Sequence, residues 1–478
     1  MKTVKVSGVG GLMLILLGVG AAVPTDAAAQ TLTTLYAFPG PLSDGAELRG
    51  GLMADAAGNL YGTTYGGGSG NGYGTIFKLT PTGTEIVLHR FTGDDGAGPA
   101  AALIADAAGN LYGTTAYGGP FYGTVFKLTL NPDGSYTHSV LHHFAGYPSD
   151  GASPKDLVAD AAGNLYGITT AGGGNACGVD DTFGCGTVFK LTPNPDGTYS
   201  ESVLYNFTGG SDGQYPFGGL IADAAGNLYG TTFYGGGSGC DGSGCGTVFE
   251  LKLNPDGTYT ERMLHSFIGD RDGAGPAAGL LTDAVGNLYG TTSEGGGSHA
   301  CLTGCGTVFT LTPNLDGTYS ESVLHRFSAN DGQAPYAGLI ADAAGNLYGT
   351  TYTGGPIGSV CAWCGTVFRL TPTGTLSVLH NFTGYPSDGA NPATGLIADA
   401  AGNLYGTTSQ GGNNNYGTVF KLTVSATFQG VPGMANCAGQ SISFLATEFG
   451  GIAHAATALG FASVKDLQDA VVAYCAGH

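Results

Sequence analysis

The phrase LIADAAGNLYGTT, Leu103 to Thr115, returns seven times along the chain with almost no change. Its Asn-Leu-Tyr-Gly core lies at Asn59, Asn110, Asn164, Asn227, Asn287, Asn346 and Asn403, so successive copies are 51, 54, 63, 60, 59 and 57 residues apart. Two other phrases keep step with it. GTVFKL starts at Gly74, Gly123, Gly186, Gly246, Gly306, Gly365 and Gly417, and a VLHRF-like phrase starts near Leu35, Leu88, Leu141, Leu204, Leu264, Leu324 and Leu379. A repeat of this length is one supersecondary unit that buries its apolar face only against its neighbours, so the repeat decides the fold.

Each unit reads as four short strands. In the first, Gly51 to Asp55 is an apolar strand, Ala56-Ala57-Gly58 a tight turn and Asn59 to Thr64 the return strand. Gly supplies the positive φ of such a hairpin, and Asp or Asn can bond its backbone. A Gly-rich loop follows, then a strand from Thr75 to Thr80. The next turn is Pro81-Thr-Gly, or NPDG from Asn131, Asn194 and Asn254, and a fourth strand ends in VLHRF. An Asp-Gly loop (Asp44, Asp95, Asp150, Asp212, Asp272, Asp331, Asp388) leads into each unit. Seven four-stranded antiparallel meanders predict an all-β, seven-bladed β-propeller over residues 30–425. The chain starts with a lone fourth strand, TLTTLYAF at 31–38, and the last unit, Gly395 to Thr423, lacks one. The N-terminal strand is therefore expected to complete the last blade, which leaves no open sheet edge. A linear β-solenoid leaves the split unit unexplained.

The phrase D-A-A-G-N-L-Y-G resembles the hairpin of NHL-type propeller repeats. The whole unit, through GLIADAAGNLYGTT, GTVFKLTP and VLHRFTG, resembles the GloVer-type (Gloeobacter/Verrucomicrobia) tandem repeat of exported bacterial proteins, over about residues 32 to 424. The resemblance implies an exported propeller. It supplies no catalytic residues.

Residues 1–29 read as a signal peptide, with Lys2 and Lys5 ahead of an apolar Val9 to Val23 and a small-residue site at Ala27-Ala28-Ala29. No later stretch is long and apolar enough to span a bilayer. The destination is then periplasm, cell surface or medium. The formal net charge of −20 repels nucleic acid and anionic membrane. In an exported chain the cysteine pairs Cys177/Cys185, Cys240/Cys245, Cys301/Cys305, Cys361/Cys364 and the distant Cys437/Cys475 read as disulfides. Zinc is the alternative, but spacings of 7, 4, 3 and 2 intervening residues repeat no ligand geometry. Residues 426–478 lose the repeat and read as a small helical domain: Gln440 to Phe449, Ile452 to Leu459, and a third helix from the capping-box-like Ser463-Val-Lys-Asp466, with Val464, Leu467, Val471 and Tyr474 on one face. A Cys437–Cys475 bridge would staple it.

If the first strand of each unit is innermost, the AAGN and NPDG turns share one face. The Gly-rich and Asp-Gly loops share the other. The Gly-rich loops hold 9, 7, 15, 13, 13, 13 and 8 residues, and the four longest carry the four close cysteine pairs. Aromatics gather in these loops, and Tyr65, Tyr117, Tyr122, Phe183, Tyr234, Tyr352 and Trp363, with Phe121 and Phe233, are the candidate ligand-binding residues. Aromatics among Asp and Asn suit a glycan or protein ligand. The loop Asp residues could ligate Ca²⁺, but they form no D-x-D-x-D-G loop and read as structural. The His of VLHRF (His89, His142, His265, His325, His380) alternates with Tyr36 and Tyr205, so it reads as a packing position with a polar tip rather than a metal ligand or acid–base group. The G-x-S-x-G match at Gly209 to Gly213 lies between strands and lacks the strand-to-helix setting of a nucleophile elbow. No cofactor and no catalytic residue is indicated. The expected role is binding or scaffolding at the envelope or outside the cell, with a polysaccharide-acting enzyme or an adhesion protein as alternatives. A unique ionisable cluster around the central channel would favour the enzyme, and an aromatic-lined groove without one would favour binding.

Overall fold

The computed structural model describes residues 30–42, 44–68, 72–119, 122–174, 177, 183–237, 239–298, 300–356, 361, 363–423, 452 and 463–475. The predicted signal peptide, Phe121, Cys437 and the two earlier C-terminal helices lie outside the described residues, as does the side chain of Cys475.

Seven four-stranded antiparallel sheets follow one another, one per repeat. Blade 1 runs Met53–Ala54, Leu60–Thr64, Thr75–Leu79, Glu85–Arg90, and blades 2 to 6 repeat the order. Blade 7 takes Ile397–Ala398, Leu404–Thr408 and Thr418–Thr423 from the end of the repeat region. Its fourth strand is Thr31–Ala37, paired antiparallel from Thr31 opposite Thr423 to Ala37 opposite Thr418. The expected closure by the N-terminal strand is present.

Side-chain chemistry explains why the phrases recur. In the DAAGN turn, Asp55 Oδ1 accepts the amide N–H of Ala57 and of Asn59, both at 2.9 Å, while Oδ2 accepts Asn59 Nδ2 at 2.7 Å and the Tyr61 hydroxyl at 3.1 Å. One aspartate thus ties turn, return strand and tyrosine together, and the set repeats at Asp106, Asp160, Asp223, Asp283, Asp342 and Asp399. The last Thr of GTT and the Thr of GTVF share buried hydroxyls, as in Thr64 with Thr75 at 2.9 Å. The Gly of NLYG makes room for the Phe of GTVF: a Cβ on Gly290 would stand 2.5 Å from Phe309 Cζ.

Blades meet through a second phenylalanine. The Phe of each VLHRF-like phrase packs edge-on against the GTVF Phe of the next blade: Phe38 on Phe77, Phe91 on Phe126, Phe144 on Phe189, Phe207 on Phe249, Phe267 on Phe309, Phe327 on Phe368 and Phe382 on Phe420, with centroids 5.0 to 5.3 Å apart. This is the preferred geometry of an aromatic pair. Outside each pair lies a polar latch. The His or Tyr of the phrase meets the loop Asp, as in His380 Nε2 with Asp388 Oδ2 at 2.9 Å and Tyr36 Oη donating to Asp44 Oδ2 at 2.6 Å. The position therefore accepts either residue because both present a hydrogen-bonding tip at that reach.

The next blade sets one more side chain against the latch. Glu85, Glu201, Glu261 and Glu321 hold this place, four residues before the His or Tyr of their own outer strand. Burial, and then the charge of the latch aspartate, pushes Glu201 and Glu261 up to about 7. In the C-terminal region the helix Val464–Cys475 starts as its sequence implies: Asp466 N–H donates to Ser463 Oγ, and Ser463 Oγ donates to Asp466 Oδ2. Leu467 and Val471 are buried.

Two outcomes follow. Gly290→Ala should destabilise the protein by about 1–3 kcal/mol through overpacking against Phe309, read as a lower denaturant midpoint. Glu201 and Glu261 titrate above their unfolded value near 4.3, so their contribution is complete below that pH and is lost as pH rises through about 7. Glu201→Gln and Glu261→Gln should therefore raise the melting temperature at pH 8 and leave it unchanged at pH 4.

Candidate functional site

Each Asp-Gly segment pairs with the Gly-rich loop of its own unit. Gly45–Ala46 pairs with Gly66–Gly67, Gly389–Ala390 with Gly411–Gln410, and Ala97 bridges Tyr117. The two loop types share one end of the propeller, as the strand order predicts. At that end a cavity of about 1110 Å³ is lined from all seven blades, and so lies on the pseudo-sevenfold axis.

One repeat position meets this cavity in every blade: Arg49, Ala100, Lys155, Phe217, Ala277, Tyr336 and Ala393. In a chain that otherwise repeats closely, it varies from methyl to aromatic to cation. Two residues earlier the backbone is left-handed in every blade. Gly98 and Gly275 adopt this at little cost, but Glu47, Ser153, Tyr215, Ala334 and Asn391 do so with a side chain, which costs of order 1 kcal/mol each.

Blade 3 departs furthest. Elsewhere two small residues precede the Leu of GLIAD: Gly50-Gly51, Ala101-Ala102, Gly218-Gly219, Ala278-Gly279, Ala337-Gly338, Thr394-Gly395. Blade 3 is one residue shorter and has only Asp156. In four seams a Thr hydroxyl donates to the carbonyl of the first small residue, Thr63 to Ala101, Thr231 to Ala278, Thr291 to Ala337 and Thr350 to Thr394, at 3.2 to 3.3 Å. Blade 3 breaks this series on both sides. Thr114, facing it, is buried with no partner for its hydroxyl, and blade 3 has Ile168 where the others have Thr. Local rules broken at one axial position make it a candidate functional site.

What the shortening provides is a charged cluster. Asp156 Oδ1 accepts the Ala102 amide at 3.0 Å, and its Cβ lies 2.8 Å from the place of a Cβ on Gly219. Its carboxyl therefore sits between blades 2 and 4, and burial raises it above its ordinary value. Lys155 Nζ stands 4.2 Å above the Phe217 ring; burial lowers it most, Asp156 opposes that, and Arg49 lowers it further. Arg49 lies 3.9 Å over the Tyr65 ring and pairs with Glu47 at 2.8 Å, half exposed. Burial, and then a hydrogen bond with Tyr117, raises the Tyr65 phenol.

The sequence-derived aromatics divide. Tyr65, Tyr117 and Tyr352 line the axial cavity, with Tyr336 and Tyr416. Tyr117, Tyr122 and Phe183, with Tyr147, line a second cavity of about 480 Å³, and Tyr117 and Ser153 line both. Tyr234 stands edge-on to Phe233 at 4.7 Å, and Trp363 is 67% exposed. Neither lines the axial cavity. Disulfides join Cys177–Cys185, Cys240–Cys245, Cys301–Cys305 and Cys361–Cys364, each within one loop. The loop Asp carboxylates that could take Ca²⁺ are acceptors in the latches; Asp150, for instance, takes His142, Ala145 N and Gly151 N.

Arg49, Lys155 and Asp156 were not singled out by sequence reasoning, although the seven repeats carry the signal: laid over one another, they depart from the repeat at these places. The arrangement combines aromatic faces with two cations in a molecule that has only 15 Lys and Arg. Restoring the repeat by replacing Lys155-Asp156 with Ala-Ala-Gly, the blade 5 sequence, should give Thr114 its partner. Stability should rise by about 1 kcal/mol in denaturant unfolding.

The profile of the Gloeobacter/Verrucomicrobia repeat matches residues 17–180, 178–359 and 299–441. No curated protein sequence matches the chain. Among solved structures, a gluconolactonase from Xanthomonas campestris is similar at 18% identity and a TM-score of 0.39, over 73% of this chain and 90% of that one. The extracellular domain of a protein described as a hybrid two-component system from B. thetaiotaomicron is similar at 14% identity and a TM-score of 0.47, over 82% of this chain and 41% of that one. With three overlapping matches that together span its seven blades, the chain belongs to the Gloeobacter/Verrucomicrobia repeat family.

Proposed function

We propose that the protein is an exported binding module that takes an anionic carbohydrate, a chain of carboxylated sugars, at the axial cavity. The observation that carries this reading is the placing of Arg49 and Lys155 among Tyr65, Tyr117, Phe217 and Tyr336, at a position that is Ala in three blades. Sugar rings stack on aromatic faces. A carboxylate is met by a guanidinium whose exposed pairing with Glu47 is weak and exchangeable. The second cavity, which shares Tyr117 and Ser153 with the axial one, lies beside it, and two adjacent aromatic-lined sites suit a linear ligand rather than a single ring. The disulfides and the repeat family support an extracytoplasmic setting.

A second reading is an enzyme acting on such a polysaccharide. It rests on Lys155 and Asp156, two ionisable groups shifted toward their neutral forms by burial in a cavity. Lys155 would serve as base and Asp156 as a proton-bearing partner.

Residues 30–478, oxidised, should be titrated with galacturonate oligomers and with neutral gluco-oligomers, each with and without Ca²⁺. Affinity for the charged chains only is expected. It should fall about 10- to 100-fold in Lys155→Ala and in Arg49→Ala, and stay unchanged in Trp363→Ala and Tyr234→Ala. Release of new reducing ends, lost in Asp156→Asn, would instead establish the enzyme. Equal binding by the Lys155 and Arg49 variants would remove the axial site from consideration.

A further inference from the structure

Every seam sets one side chain of the following blade against the His–Asp or Tyr–Asp latch. At six seams that residue is Glu85, Glu201, Glu261, Glu321, Leu376 or Leu32. At the seam of blades 1 and 2 it is His138, and the latch there is His89 with Asp95. We propose that this seam binds a divalent transition-metal ion of the zinc class through His89, Asp95 and His138.

One ligand atom from each of the three residues lies within 4.8 Å of the others. The Asp95 carboxylate is already aimed. Thr92 donates its amide and its hydroxyl to Oδ1, at 2.8 and 2.9 Å, leaving Oδ2 toward His89 Nε2 at 3.0 Å. Metal-ligating carboxylates are held in this way by outer partners. The His138 ring stacks on that of His89 at 4.1 Å and 5°, and His138 Nε2 is buried with no hydrogen-bond partner. The glutamates at this place in four sibling seams also hold a buried oxygen without a partner, but only here is the atom an imidazole nitrogen beside a second imidazole.

Donors on a tetrahedral ion stand about 3.4 Å apart, with bonds of about 2.1 Å. His89 Nε2 and Asp95 Oδ2, 3.0 Å apart in their hydrogen bond, need to part only slightly to reach this separation. The parallel rings cannot share an ion as they stack, so His138 must turn about its ring axis, and its unpartnered nitrogen gives up no bond in doing so. All three residues are part-exposed, so an ion can enter and water can complete its shell. Two imidazoles and one carboxylate match the borderline character of Zn²⁺, and Co²⁺ or Ni²⁺ would follow, rather than Ca²⁺ or Mg²⁺. The next seam, His142 with Asp150 and Glu201, also gathers three donors. There Asp150 Oδ2 is taken by the Ala145 amide as well as by His142, and only one ligand is an imidazole.

The sibling seams supply the test variants. His138→Leu installs the residue found at two other seams, and His89→Tyr copies Tyr36 and Tyr205. Metal-stripped protein, residues 30–478, is titrated with Zn²⁺ by calorimetry and with Co²⁺ by its visible absorption, and melting curves verify folding. Wild type should bind one equivalent of Zn²⁺, give the intense bands of four-coordinate Co²⁺, and melt higher with Zn²⁺. His138→Leu and His89→Tyr should each weaken binding at least about tenfold. Glu201→Leu, an edit to the neighbouring seam, should leave it unchanged. Absence of a stoichiometric ion in wild type, or wild-type affinity in folded His138→Leu, would overturn the proposal.

Discussion

The structure depends on one contact made seven times, the edge-on meeting of a phenylalanine from one blade with a phenylalanine from the next. A four-stranded sheet cannot bury both faces by itself, and these pairs are where each sheet finds its neighbour. The rest of the repeat makes the contact possible. The NLYG glycine clears the space for the second ring, and the paired threonine hydroxyls fix the strands that carry it. The aspartate of the DAAGN turn holds the hairpin at the inner edge. A change to any one of these acts on the same seam, which is why the phrases travel together through the sequence.

Around that apolar seam the chain places polar groups that do not all stabilise it. The latch joins consecutive blades, yet four glutamates stand against it with a buried carboxylate oxygen that has no partner: Glu85, Glu201, Glu261 and Glu321. Their raised titration is the electrostatic consequence of a carboxyl set beside another acid in a shielded place. Two seams use leucine instead and keep the same Phe pair, so the polar choice is separable from the fold.

The architecture was legible in the sequence because it is written seven times. Repeat length, strand alternation and turn chemistry agree, and the split unit announces the closing strand. The tyrosine and histidine tips were legible as packing, though their partner, the loop aspartate, is found only in three dimensions. The candidate site was legible in part. Tyr65 and Tyr352 directly follow the second strand of their blades and reach the axis, as does Tyr117 one residue further on, whereas Tyr234, at the same repeat position as Tyr117, and Trp363, in a stapled loop, do not. Lys155 and Asp156 were missed because their meaning lies in a deletion. A missing residue has no chemistry of its own, and its effect on Thr114 lies in the neighbouring blade. His138 was missed because it sits on an outer strand at an exposed-looking alternation, and only the pairing of blades sets it against His89.

The blade completed from both ends carries a kinetic consequence. Thr31 to Ala37 is made first and can pair only with Thr418 to Thr423, nearly four hundred residues later. Blades 1 to 6 can form in order as local meanders, but the ring cannot shut until its two most distant strands meet. Until then the molecule is an open arc with a bare edge at the strand Thr418–Thr423, a template for any other strand that reaches it. Closure thus couples the two ends of the chain: the first strand finds its place only when the blades between bring Thr418–Thr423 round to it.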